Sequence, residues 1–154
     1  MADGLARRLA DLDPANAARY AQRNTDFQSR WTAAMARWEQ QGARLTGMPM
    51  VVHHRNWSYL IDWLGLTLIG ELEPRPGMEP TATHLAALLE TLKATPVRMV
   101  LRTPHESPKA SEWLASRATI PALELPYTVG GSPGAKDLFG LFDDTLSRLL
   151  QAAP

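Results

Sequence analysis

Two adjacent histidines, His53 and His54, close a short apolar run, Met50-Val51-Val52, that is entered through Pro49. Imidazole is the side chain that most readily holds a divalent transition metal or moves a proton near neutral pH. Further groups of matching chemistry end the later apolar runs: Glu71 and Glu73, then His105 and Glu106, then Tyr127. If those runs are parallel strands, their carboxyl ends share one edge, which is where open α/β sheets bind ligands. Imidazole and carboxylate brought together there suit zinc, which takes a few nitrogen and oxygen ligands in tetrahedral array. His54 is the main candidate ligand, and Glu73 and His105 are secondary ones. Side chains alternate along a strand, so His53 points to the opposite face from His54 and a single ion would not take both. His53, Trp57 and Tyr59 are expected in support, the two aromatics packing the following helix on the sheet and fixing the His54 loop.

The elements that must position these residues follow from periodicity. Strands are expected at Met50–His54, Leu66–Leu72, Val97–Arg102 and Ala122–Leu125, and helices at Asn56–Leu64, Thr81–Ala94, Ser107–Arg117 and Gly134–Gln151. Turn chemistry fills the joints, at Pro74-Arg75-Pro76-Gly77, Thr103-Pro104 and Gly130 to Gly134. Four βα units with right-handed crossovers predict a four-stranded parallel sheet with helices on both faces. Ahead of it, Tyr20, Phe27, Trp31, Ala34, Met35, Trp38 and Leu45 recur at helical spacing, after Asp13 as N-cap and Pro14 in the first turn. A helix from Pro14 to about Gln41 would span on the order of 40 Å. The expected organisation is a short lead and long helix over residues 1–47, then an α/β unit over residues 48–154.

Composition narrows the functional classes. Sixteen Lys and Arg balance sixteen Asp and Glu, and no basic run is interleaved with aromatics, so the footprint of a nucleic-acid binder is missing. With no cysteine there is no disulfide, thiolate metal site or cysteine nucleophile. Met1 to Leu12 lacks the apolar middle of a signal peptide. No Gly-x-Ser-x-Gly elbow occurs, and the chain is not expected to be an enzyme.

Other motifs carry less. His84, among Leu85, Leu88 and Leu89, reads as a helix-surface or edge-of-core residue, and His105-Glu106 in HESPK lacks the second histidine of a zincin helix. GGSPGAK, Gly130 to Lys136, has the look of a phosphate loop without its residue order. A small phosphate-binding α/β protein, depending on Gly134 and Lys136, is therefore one rival reading. A structural, self-associating module is the other.

The stretches VVHHRNWSYLIDWLGL, GELEPRPGMEPTATHLAALLE, SPKASEWLA and LELPYTVGGSPGAKDLFGLFDDTLSRLL, in this order, resemble the carboxyl-terminal lobe of the zinc and manganese solute-binding proteins of ABC importers. LDPANAARYAQRNTDFQSRWTAAMARWE resembles the long helix that joins the two lobes in that family. The resemblance implies a periplasmic or extracytoplasmic binder that holds one ion between lobes and passes it to an ABC permease. It implies that His54 is the ligand from this lobe, with Zn2+ the matching ion and Mn2+ the family's other choice. It also implies a second ligand, an aspartate just before the proline of the last strand-end loop. Leu125 stands at that position, and Glu124 is one residue off and faces the other way. Fewer protein ligands with water, Glu73 as a substitute, or loss of tight binding are the three ways to accommodate Leu125. Zinc binding by this lobe alone is expected to be weak. Part of Tyr20, Phe27, Trp31 and Trp38 is expected to be exposed, favouring self-association through the N-terminal helix.

Overall fold

The computed structural model describes residues 1–153. It contains two compact units, Met1–Gln40 and the residues from Gln41 onward. The first is helical: α1 (Ala2–Leu12), a 3-10 turn (Pro14–Asn16) and α2 (Ala17–Gly42), whose last two residues belong to the second unit. The segment expected as a short lead is thus a full helix, with Leu5, Leu9 and Leu12 at spacings of four and three and Asp3 in the first turn, where the helix dipole favours a carboxylate. Asp13 makes no side-chain cap bond. Its carboxylate accepts instead from Asn16 at 2.8 Å and from the Tyr20 hydroxyl at 2.9 Å.

Asp3 accepts from Asn24 at 2.6 Å and from Gln28 at 3.4 Å, which folds α1 back along α2. Asn24 lies three residues before Phe27, and Gln28 three before Trp31. In the aromatic stripe Trp38 is fully buried, while Tyr20, Phe27 and Trp31 are half-buried and keep part of the exposure expected of them. Phe27 stacks on Trp31 at 5.7 Å, and Trp31 meets Trp38 edge-on at 5.2 Å. The large apolar side chains that this unit does expose are Met1, Leu5 and Leu12, all from α1 or its start.

The second unit runs β1 (Pro49–Val52), α3 (Ser58–Leu64), β2 (Thr67–Glu71), α4 (Ala82–Ala94), β3 (Met99–Arg102), α5 (Pro108–Ala118), β4 (Ala122–Glu124) and α6 (Leu138–Ala152). All pairings are parallel, in the order β2-β1-β3-β4. This is the expected α/β architecture, with strands a residue or two shorter than the apolar runs. From β1 the chain steps one way to β2, then back across β1 to β3. Right-handed crossovers then place α3 on one face and α4 with α5 on the other. Val51 and Val100 accordingly pack with Leu85, Leu88, Leu92 and Leu114. On the opposite face Trp63 of α3 meets Phe142 of α6 edge-on at 5.8 Å.

Glycine fits where helices meet. A Cβ on Gly42 would come within 2.6 Å of Leu64 and 3.8 Å of Leu146, so the end of α2 nestles between α3 and α6. Gly140, in the first turn of α6, is tighter, because its Cβ would lie 2.5 Å from the carbonyl oxygen of Gly134. Helix propensity alone makes Gly140→Ala stabilising by about 1 kcal/mol. The backbone clash reverses the sign, and urea denaturation should show a loss of about 1–3 kcal/mol.

Candidate metal centre

The two histidines lie just past the end of β1, yet the ladder continues through them: His53 N–H donates to the Leu101 carbonyl at 2.7 Å, and Glu73 N–H donates to the His53 carbonyl at 3.2 Å. Register decides which residue stands beside His54. Pro49 and Met50 pair with Thr67 and Leu68, but Val51 and Val52 pair with Gly70 and Glu71, because β2 bulges by one residue. Carried past the strand ends, the shifted register sets Glu73 opposite His54. Without the bulge that neighbour would be Leu72, a fully buried core residue.

His54 Nδ1 lies 2.7 Å from Glu73 Oε2, and the Gly77 N–H donates to the same oxygen at 2.9 Å. The Gly77 amide is held there by a tight turn in which Met78 N–H donates to the Arg75 carbonyl at 3.0 Å, with Pro76 and then Gly77 (φ 79°) at its centre, the residues a type II turn demands. Burial pushes the Glu73 carboxyl up, but the hydrogen bonds from His54 and Gly77 and the nearby imidazoles outweigh it, and the group sits below its ordinary value. An ionised Glu73 can only accept, so Nδ1 is the donor to it, and in the neutral imidazole the lone pair then falls to Nε2, on a side chain that is 35% exposed. Glu71 is committed elsewhere, bound through Oε1 by Arg55 Nε at 2.8 Å and by Arg55 Nη2. His84 donates from Nε2 to the Glu71 carbonyl at 2.9 Å, an edge-of-core role. Together these side chains line an open groove of about 560 Å³.

The remaining candidates lie apart from that groove. His105 Nε2 is 3.1 Å from the Thr103 hydroxyl, and its ring meets Tyr127 edge-on at 6.1 Å. Trp57 is buried and meets the same tyrosine at 6.5 Å. Tyr59 does not pack the helix on the sheet; it is 91% exposed. Trp57, Ile61 and Leu64, at spacings of four and three, take the inner face of α3, and a residue two places from Trp57 is turned away from it. His53 is buried on the α4/α5 side, beside Leu85, Ala110 and Trp113, with Nδ1 unpartnered. Among the described residues no three histidine, aspartate or glutamate side chains gather as a metal cluster.

Leu125 is fully buried, and Glu124 pairs with Arg102 at 2.6 Å. Leu125 has no donor atom in its side chain, and the Glu124 carboxylate is engaged by Arg102. In the loop ahead of α6, Ser132 donates to Asp144 at 2.6 Å, Gly134 packs on that carboxylate, and Asp137 caps the helix by accepting from Gly140 N–H at 2.8 Å. Carboxylates thus occupy the donors that a phosphate would need, and the phosphate-loop reading finds no support there. One contact escaped sequence reasoning: Glu106 joins Asn56 to Thr103, residues whose loops are about 50 positions apart in the chain. Placing at this buried position the carboxylate that the resemblance implies, by Leu125→Asp, would bury a charge without a partner. Thermal or urea unfolding should show a loss of at least about 3 kcal/mol.

The comparisons with known proteins agree in direction. No curated protein sequence matches the chain. The solved structure of ZnuA superposes with a TM-score of 0.81 at 24% identity, covering 97% of this chain and 54% of that one. A zinc-bound ZnuA deletion mutant gives 0.75 at 24% identity, over 97% and 54%. FpvC from Pseudomonas aeruginosa, solved in complex with Mn2+, gives 0.72 at 22% identity, over 98% and 57%. The chain therefore spans just over half the length of these structures. The family model described as the zinc-uptake complex component A, periplasmic, matches residues 1–152, and the chain belongs to that ZnuA family.

Proposed function

We propose that this chain supplies the carboxyl-lobe half of a zinc-binding site in a periplasmic solute-binding protein that delivers the ion to an ABC permease. Residues 48–154 are the ligand-bearing lobe in this reading, and residues 1–47 the helical connection. His54 Nε2 is the metal-binding atom. The observation that carries the reading is the shared oxygen of Glu73, which fixes His54 Nδ1 as the donor and leaves Nε2 free on the groove side. A carboxylate behind a metal-bound imidazole sets its tautomer and raises its basicity. Glu73 is thereby an orienting group behind His54, in place of the direct ligand the sequence reading considered. Neutral imidazole favours Zn2+ and hard oxygen favours Mn2+, and with Leu125 at the aspartate position the balance moves to zinc. No helix among the described residues is long and apolar enough to cross a membrane.

A lone imidazole with water makes a weak site, since a closed site needs several ligands and an organised surround. Calorimetric titration of metal-stripped protein with zinc should give weak binding that disappears in His54→Ala. Glu73→Gln should lose roughly 10- to 100-fold in affinity while remaining folded. Equal binding by wild type and His54→Ala would overturn the assignment.

We further propose self-association through α1, whose Leu5 and Leu12 are 62% and 65% exposed. Exposed apolar surface of this kind gains by burial against a second copy. Light scattering after size exclusion should report a dimer at high concentration that Leu5→Glu with Leu12→Glu converts to monomer. A monomer for the unaltered chain would refute this.

A further inference from the structure

The sheet order reverses between β1 and β3, and the loops that leave these strands flank that crevice. One carries His54, the other Glu106. The Glu106 carboxylate spans the gap: Oε2 accepts the Thr103 N–H at 2.6 Å, and Oε1 accepts Asn56 Nδ2 at 3.0 Å. Asn56 is in turn tied to the histidine, its N–H donating to the His54 carbonyl at 2.7 Å. The return bond from Glu106 N–H to the Thr103 carbonyl, at 3.2 Å, holds the glutamate's own backbone in place. No cation pairs with Glu106 among the ion pairs of the described residues.

We propose that Glu106 is a positioning residue for the metal site, latching the His54 loop to the end of β3 so that Nε2 stays aimed into the groove. This rests on the reading of His54 as the zinc ligand. The chemistry of the latch is selective. Both partners of Glu106 are N–H donors, so only a group with two acceptor oxygens satisfies them together. In Glu106→Gln the amide oxygen can keep the Thr103 N–H, and the NH2 can still donate to Asn56 once the Asn56 amide turns over to offer Oδ1, so this change alone is tolerated. Asn56→Asp alone sets carboxylate against carboxylate. The two changes together are complementary, because Gln NH2 then donates to the new carboxylate while Gln Oε1 keeps the Thr103 N–H.

The test is this pair of variants, Glu106→Gln and Asn56→Asp, alone and combined, read in two ways. In zinc calorimetry, Asn56→Asp should weaken binding by about tenfold and the combined variant should return to within about twofold of the unaltered protein. In the metal-free protein, the His54 ring 15N signals and the exchange rate of the backbone amide at position 56 should move in Asn56→Asp and return in the combined variant. A purely structural loss of stability at Glu106 would add to that at Asn56 and show no such return. Wild-type signals and affinity in Asn56→Asp, or a combined variant no better than Asn56→Asp, would overturn the latch. If the unaltered chain bound no zinc, the reading of His54 would fall, and the NMR arm would still decide the latch by the same criterion.

Discussion

The bulge in β2 is the constraint on which the candidate site depends. Parallel strands offer each residue two flanking neighbours, and a slip of one position exchanges every side chain between faces. Here the shift between Met50 and Val51 replaces a leucine with Glu73 as the neighbour of His54. The Pro76-Gly77 turn then finds an acceptor for its amide, and His54 is left with a single tautomer. A short, half-buried carboxylate thus joins strand register to the chemistry of one imidazole nitrogen.

The carboxylates around the sheet edge share a second property, in that each is committed. Glu71 holds Arg55, Glu73 holds His54 and Gly77, Glu106 holds Asn56 and Thr103, and Glu124 holds Arg102. No three of the described histidine, aspartate and glutamate side chains gather as a metal cluster, although histidines and glutamates are plentiful at that edge. A group already hydrogen-bonded by protein donors gives up those bonds to coordinate an ion. The edge is built to orient one histidine, and a buried Leu125 stands where the family resemblance asks for a carboxylate.

The helical unit shows how one unrecognised element changes an exposure argument. The stripe of Tyr20, Phe27, Trp31 and Trp38 is legible from spacing alone. The helix beside it is not: α1, weakly apolar and short, is tied to α2 through Asp3 and its partners Asn24 and Gln28. Short helices draw most of their stability from tertiary packing, so propensity over Ala2–Leu12 was a poor guide. The exposed apolar residues are those of α1 in consequence.

What the sequence determined by itself was the order and kind of the elements. Apolar periodicity, Pro-Gly turns and the run of βα units led to the four-stranded parallel sheet. The helix start at Thr81 was likewise readable, and its hydroxyl does accept the His84 amide. Tertiary structure alone decided the rest. Gly70, a glycine inside a strand at the point where the register shifts, is the one local trace of the bulge, but which residue the shift sets beside His54 depends on the pairing with β1. Tyr59 and Trp57 are two residues apart, and only the docking of α3 assigns one to the core and the other to solvent. The Asn56–Glu106 contact joins loops far apart in the chain, which local sequence preferences cannot bring together, and it exists because the sheet places β1 beside β3.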